Sequence, residues 1–242
     1  MLRAIALSLL LPLLAACGAD NVYAPMQEVQ SRAYRAEGGP TLTLLTAINN
    51  RTGSGGHSAL MVSGSQRVIF DPAGTWWHPT APERGDVIYG ITPTMLDFYI
   101  DYHARPTYRV VSQEISVSPE IAERALQLVE AHGPAAKATC GQSVSGILRE
   151  LGFGKVRRSW YPDRIMKDFE TVQGVVRHEI RDDTVDEYSP GKPASARSRT
   201  TGWSTRTDRR DPLNEEPPAT LRSPGVDSVT RTSGRSYIIP SR

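Results

Sequence analysis

Five short segments that favour β-strands follow one another between residues 41 and 117, and they constrain the fold more than any other feature. Each is rich in β-branched and apolar residues and is bounded by glycine, proline or asparagine, a pattern typical of strands joined by turns. The segments are TLTLLTAI, HSALMVSG, QRVIFD, GDVIYGI and PTYRVVSQEISV. A later segment, VQGVVRHEI, predicts a further strand.

Four helices are predicted around these strands. In two of them a capping residue is followed by proline at the first helical position. The other two are predicted by apolar residues that recur at helical spacing or by a proline start. The helices are expected to begin at Thr92-Pro93, at Ser118-Pro119, after Cys140 and at Pro162. Together the elements predict an α+β domain in which an antiparallel sheet packs against helices.

The N-terminus carries the pattern of a lipoprotein signal peptide. Arg3 is followed by the apolar run AIALSLLLPLLAA, which is too short to span a membrane. The next residues complete Leu-Ala-Ala-Cys-Gly, which resembles the lipobox of bacterial lipoproteins, where cleavage precedes a lipidated cysteine. The resemblance implies a signal peptide over 1–16 and a lipid such as palmitate on Cys17. Because Gly18 is not aspartate, it also implies an outer-membrane anchor facing the periplasm.

Composition divides the remaining chain into three parts. Residues 17–40 are predicted to be the lipidated N-terminus and a linker, and residues 41–188 the folded domain. In the last 54 residues, 189–242, Ser, Thr, Pro and Gly make up 27, and ten Lys or Arg face five Asp or Glu. Such a segment cannot bury enough apolar surface to order itself, which predicts a disordered basic tail. The tail either solubilises the protein or contacts anionic lipid or wall polymer.

Cys140 is the first candidate functional residue. If Cys17 is lipidated, Cys140 is the only free thiol in an exported chain, where an unpaired cysteine is open to oxidation. Thr139 is expected to cap the helix that follows, which places the thiol in the first turn. There the backbone N–H groups and the helix dipole favour a thiolate. The alternative is a small buried hydrophobic side chain.

His57 and Asp71 are the candidate partners of that thiol. His57 begins an apolar strand after two glycines, and Asp71 ends the next strand along the chain. Neighbouring strands would bring the two side chains together. A carboxylate there can fix the imidazole tautomer and stabilise the imidazolium, as the third member of a catalytic triad does.

Three motifs then carry a family resemblance. The GHSALMV strand, the VIFDPAG strand and the later TCGQSVSGIL helix resemble the circularly permuted papain-like hydrolases, which include NlpC-type and lecithin retinol acyltransferase-like proteins. The histidine precedes the cysteine, which is the permuted order. The resemblance implies a permuted papain-like fold with Cys140 as nucleophile, His57 as base and Asp71 as the polar third group. His78 competes with Asp71 for that third position.

The resemblance and the leader together imply an envelope lipoprotein whose thiol protease-like domain cleaves amide bonds in cell-wall peptides through a covalent acyl-enzyme. The alternatives are a lipid acyltransferase or thioesterase, and a non-catalytic lipoprotein that binds wall or a partner. Peptidoglycan is the expected partner besides the membrane. No cofactor is expected. The net charge of +2 argues against a nucleic-acid footprint, and the oligomeric state stays open.

Other histidines and aromatic residues are weaker candidates. No metal site is expected, because His103, His132 and His178 are dispersed along the chain without partners at metal-ligand spacing. Trp76-Trp77 is interpreted as core or a lid, with a substrate groove as the alternative. Trp160-Tyr161 is interpreted as packing, with a ligand-facing role as the alternative.

Overall fold

The computed structural model describes residues 22–181, so the predictions for Cys17 and for the tail 189–242 lie outside the described residues. Within the described range the chain forms one seven-stranded sheet and five helices. All neighbouring strands pair antiparallel, in the order β4-β5-β3-β2-β1-β6-β7. The predicted α+β class with an antiparallel sheet is therefore confirmed.

The strands are β1 (Thr41–Asn49), β2 (Gly55–Ser63), β3 (Arg67–Phe70), β4 (Glu83–Arg84), β5 (Val87–Ile88), β6 (Tyr108–Ser116) and β7 (Val176–Arg181). The helices are α1 (Met26–Arg32), α2 (Pro93–His103), α3 (Pro119–His132), α4 (Cys140–Glu150) and α5 (Pro162–Glu170). None of these helices combines the length and apolar character that a membrane crossing would require.

Helices cover both faces of the sheet, which explains why β1 is buried over seven consecutive residues, 42–48. Leu42 and Leu44 point into one core with α3, α4 and α5, while Leu45 points into a second core with α2. Because side chains alternate along a strand, adjacent residues feed different cores. Any residue of β2 therefore faces either the α4 side or the α2 side.

The N-termini of α2 and α3 have the capping hydrogen bonds that the sequence predicts. The Thr92 hydroxyl accepts a hydrogen bond from the Met95 N–H, and the Ser118 hydroxyl accepts one from the Ile121 N–H. Proline occupies the first turn of both helices, where its missing N–H costs nothing.

The segment GDVIYGI contributes only two strand residues, Val87–Ile88. Gly85 and Asp86 have φ values of 56° and 64°, and they form a two-residue turn between β4 and β5. Positive φ at both central positions is the geometry of the tight hairpin turn whose twist matches the strands. The glycine that was expected to open a strand instead closes a hairpin.

The predicted linker over 17–40 differs from the structure, because part of it packs on the domain. Ala24 N–H donates to the Glu83 carbonyl at 2.9 Å, and α1 follows at Met26. Val29 on this helix is buried in the first core. One apolar residue anchors the helix, and a single residue gives no periodic pattern in the sequence.

Candidate active site

The sheet brings His57 and Asp71 together with Cys140 at the N-terminal end of α4. Cys140 is the first residue of α4, His57 lies in β2 and Asp71 directly follows β3. β2 and β3 pair with Leu60 opposite Phe70, so Asp71 continues its strand back toward His57. The backbone N–H of Ser58 hydrogen-bonds the Cys140 thiol, which ties α4 to β2. All three predicted catalytic residues therefore share one site.

The His57 imidazole lies between the carboxylate and the thiol. Its Nε2 is 2.6 Å from Asp71 Oδ1, and the ring also hydrogen-bonds the Cys140 side chain. Since Nε2 faces Asp71, Nδ1 is the nitrogen that remains for the thiol. Burial would lower the pKa of His57, but the charge and hydrogen bond of Asp71, with the contact to Cys140, raise this pKa to about 10.

The Cys140 thiol is shifted the opposite way. Burial would raise its pKa, yet the hydrogen bond and positive charge of His57, with the backbone N–H groups of Ser58 and Gly141, hold the pKa below its ordinary value. A lowered thiol pKa beside a raised imidazole pKa favours transfer of the proton from the sulfur to His57. The arrangement is the one that activates a cysteine nucleophile.

Thr139 precedes α4 but does not cap it as predicted. Its hydroxyl donates to the Ala136 carbonyl at 2.6 Å, and no side chain in the described part of the chain caps the first turn. The first-turn N–H groups of α4 consequently remain available to negative charge on or near the sulfur.

Tyr99 is a member of the site that sequence reasoning missed. Its buried hydroxyl donates to Asp71 Oδ1 at 2.6 Å, the same oxygen that faces His57. Burial would raise the pKa of Asp71, but the charge and hydrogen bond of His57, with the Tyr99 hydroxyl, hold this pKa below its ordinary value. Asp71 is thus kept ionised and oriented by two donors.

His103 was also missed, and it corrects the view that this histidine stands alone. Its ring stacks on His57 with centroids 5.6 Å apart and planes 11° apart. His103 Nδ1 lies 2.8 Å from the Tyr99 carbonyl oxygen, so Nδ1–H donates and fixes the tautomer. Burial, with the positive charge of His57, lowers the pKa of His103 and keeps the ring neutral. Tyr99 and His103 are one turn apart on α2, a spacing visible in the sequence.

The ligand atoms of His57, Asp71 and His103 are all within 4.8 Å of one another, close enough to consider a metal site. The 2.6 Å separation of His57 Nε2 and Asp71 Oδ1 argues against shared coordination of one ion. Tetrahedral ligands that each lie about 2.0–2.1 Å from zinc are more than about 3 Å apart. The spacing is that of a hydrogen-bonded ion pair, so the geometry fits the triad better than a metal centre.

His78, the other candidate for the third position, lies elsewhere. Its Nδ1 is 2.9 Å from the Thr80 hydroxyl, and its ring stacks on Phe98 and Trp76. Asp71 rather than His78 contacts His57. His132 packs against Phe70 at the end of α3.

Of the four aromatic residues in the two pairs, one is buried and three are exposed. Trp76 is buried in the second core, as its interpretation as a packing residue requires, whereas Trp77 is 71% exposed. Trp160 and Tyr161, also interpreted as packing residues, are 54% and 57% exposed. The packing interpretation is corrected for Trp160 and Tyr161, while Trp77 does not belong to the core. The local sequence could not show the difference, because exposure of these rings depends on which neighbours the sheet brings near.

Replacing Tyr99 with phenylalanine is expected to lower the free energy of unfolding at pH 7 by about 1.5–3 kcal/mol, the usual contribution of a hydrogen bond to a charged group. The ring still fills its site in the core, so only the donor to Asp71 is lost. Urea unfolding measures the difference. Tyr102→Phe on the same helix is the matched control, since the Tyr102 hydroxyl contacts the exposed Thr75 hydroxyl. Equal losses in both variants would contradict the role of Tyr99.

Comparison of the chain with protein-family models, with curated protein sequences and with solved structures found no match. The chemistry of the site is therefore argued from the geometry of this chain.

Proposed function

We propose that this protein is a cysteine hydrolase of the cell envelope that cleaves amide bonds in wall peptides through an acyl-enzyme, on a permuted papain-like domain. The observation that carries the proposal is that the His57 ring lies between the Asp71 carboxylate, 2.6 Å from its Nε2, and the Cys140 side chain, to which it is hydrogen-bonded. A cysteine that served only to pack would need neither an imidazole nor an oriented carboxylate beside it.

The proposed reaction uses Cys140 as the nucleophile, His57 first as acid and then as base, and Asp71 as the group that orients His57. The Cys140 thiolate attacks the carbonyl carbon, and the N–H groups at the start of α4 stabilise the oxyanion that forms. The His57 imidazolium gives its proton to the leaving amine as the C–N bond breaks. Neutral His57 then takes a proton from water, which attacks the thioester and releases the acid. Asp71 holds the imidazole in place throughout.

The N-terminal pattern supports the lipid anchor on Cys17. The family resemblance, together with that compartment, supports a wall peptide as the substrate. In the proposed arrangement the lipid holds the protein at the outer membrane, facing the periplasm. Peptidoglycan is then the nearest polymer rich in amide bonds.

Incubating the purified protein with soluble muropeptides is expected to release new amines, and Cys140→Ala is expected to reduce their release to the background rate. Mass spectrometry of acid-quenched protein should find a peptide-derived acyl group on Cys140. Unfolding of the variant by urea checks that it is folded.

Two other results would replace this proposal. A fatty acyl adduct on Cys140 without new amines would indicate acyl transfer from lipid. Wall binding that Cys140→Ala leaves unchanged, with neither amines nor adduct, would indicate a binding protein.

A further inference from the structure

Asp86 lies in the tight turn between β4 and β5, and its side chain is buried. One carboxylate oxygen, Oδ2, accepts two backbone hydrogen bonds, from the Ala73 N–H at 2.9 Å and from the Ala135 N–H at 2.8 Å. Hydrogen bonds from backbone N–H groups to a carboxylate are charge-assisted, and the short aspartate side chain leaves their geometry little freedom. Asp86 therefore joins two segments of the chain that are distant in the sequence.

The first of these segments carries Asp71. The Asp71 N–H donates to the Asp86 carbonyl at 2.8 Å, and the Gly74 N–H donates to the Asp71 carbonyl at 2.9 Å, which closes a turn. A Cβ on Gly74 would lie only 1.8 Å from Asp71 Oδ2, so the carboxylate lies directly over this turn. Its place beside His57 consequently depends on where the turn is held, and Ala73 is the point at which Asp86 holds it.

The second segment leads to Cys140. Ala135 lies in the connection between α3 and α4, and a hydrogen-bonded turn over 136–139 joins it to the first residue of α4. The β4–β5 turn packs directly on this connection, since a Cβ on Gly85 would lie 3.3 Å from the Gly133 Cα. The same carboxylate therefore holds the turn that carries the acid of the site against the connection that leads into the nucleophile's helix.

We propose that Asp86 is a positioning residue of the candidate active site, whose carboxylate fixes the place of Asp71 relative to the start of α4. The inference rests on the proposed function, because it adds a residue to the same reaction. His57 lies between Asp71 and Cys140, so a displacement of the Asp71 turn changes the hydrogen bond that orients the imidazole. Catalytic groups need such support, since a misplacement of about 1 Å costs a large part of the rate.

The pKa of the His57 imidazole reports the placement of Asp71. Burial would lower this pKa, and the charge and hydrogen bond of Asp71 are the main contributions that raise it, to about 10. NMR titration of the full chain measures it, with the ring signals assigned by their absence from His57→Ala. The rate at which iodoacetamide alkylates Cys140 at pH 6 is measured on the same proteins.

Asp86→Ala is expected to lower the pKa of His57 by about one unit or more, the equivalent of a charge-assisted hydrogen bond. Asp86→Asn keeps an oxygen at the same reach and tolerates the positive φ, so its His57 pKa should stay close to that of the wild type. Asp86→Glu keeps the charge but moves the acceptor by one methylene, and it should lower the pKa as well. The Asn and Glu variants together separate the reach of the side chain from its charge.

Glu123→Ala is the matched control, because the Glu123 carboxylate also ties a turn to a helix. It accepts from the Ser65 N–H at 2.6 Å and from the Ser65 hydroxyl at 2.9 Å, in the turn between β2 and β3. Its loss should leave the pKa of His57 unchanged. The inference would be overturned by a wild-type pKa in Asp86→Glu or in a folded Asp86→Ala, or by equal decreases in Asp86→Asn and Asp86→Glu.

The alkylation rate tests the proposed function separately. Equal rates for the wild type and His57→Ala would count against the function, whereas a decrease in the His57 pKa of Asp86→Ala would still support the role of Asp86. Slow alkylation of His57→Ala, with no effect of any Asp86 substitution on the His57 pKa, would retain the function and remove this inference.

Discussion

Replacing His57 with alanine is expected to slow alkylation of Cys140 by iodoacetamide at pH 6 by at least about tenfold. An ordinary thiol with a pKa near 8.5 is ionised in only about one molecule in 300 at that pH, whereas the wild-type thiolate is held by His57. The lower basicity of the wild-type thiolate offsets part of this gain, because nucleophilicity falls with pKa along a slope of about 0.4–0.5. A net tenfold effect allows for that offset.

The shape of the pH profile distinguishes this effect from a loss of access. The wild-type rate should reach its plateau at a lower pH than the variant's rate, because the hydrogen bond and positive charge of His57 lower the pKa of the thiol. The variant's rate should rise about tenfold per pH unit up to a pKa of at least about 8.5, because burial without His57 raises the pKa of the thiol. His178→Ala on β7 is the control and should match the wild type. Parallel profiles for the wild type and His57→Ala would remove the catalytic interpretation of Cys140.

Replacing Asp71 with alanine is expected to lower the free energy of unfolding at pH 7 by about 3 kcal/mol, the lower end of the range for removing one member of a buried ion pair. The change leaves the His57 cation and the Tyr99 hydroxyl without their acceptor. The lower end applies because the His57 side chain keeps 18% of its surface exposed. Asp71→Asn retains an oxygen acceptor but no charge, so its loss should be smaller.

The pH dependence of that loss follows from the signs of the two shifts. Asp71, with its lowered pKa, stabilises the fold above the ordinary aspartate value near 4, and this stabilisation disappears as the pH falls through the lowered pKa. His57, with its raised pKa, stabilises the fold fully below about 6.5, and this disappears as the pH rises toward about 10. The difference between wild type and Asp71→Ala should therefore be largest near pH 4–6.5. Urea unfolding from pH 3 to 10 measures it, and a difference independent of pH would contradict the ion pair.

The meeting of Cys140, His57 and Asp71 in one site could be predicted because the signals of these residues are local. His57 and Asp71 occupy corresponding ends of consecutive strands, and Cys140 begins a helix with a clear apolar face. Tyr99 and His103 could not be predicted in the same way. The Thr92-Pro93 start predicts α2, but it does not show which residues of the helix are buried or which face of the sheet the helix covers.

The segments that sequence reasoning misjudged depend on contacts between distant residues. α1 is fixed by Val29 and by pairing with β4, and neither leaves a periodic pattern. The Thr139 hydroxyl turns to the Ala136 carbonyl, which the capping preference of threonine does not foresee. The partners of residues 22–32 are distant in the sequence, whereas the partner of Thr139 is only three residues away and competes locally with capping.

If Cys17 carries the proposed lipid, the docking of residues 22–32 on the domain limits how far the candidate site could move from a membrane. With lipid on Cys17 and a free chain up to β1, the domain could move about 80 Å from the bilayer surface at full extension. Pairing of Val22 and Ala24 with the β4 edge leaves only the five residues from Cys17 to Val22, about 17 Å at most. The free segment between the lipid and the domain would then be short, and cleavage would be confined to polymer that comes within one domain diameter of the membrane.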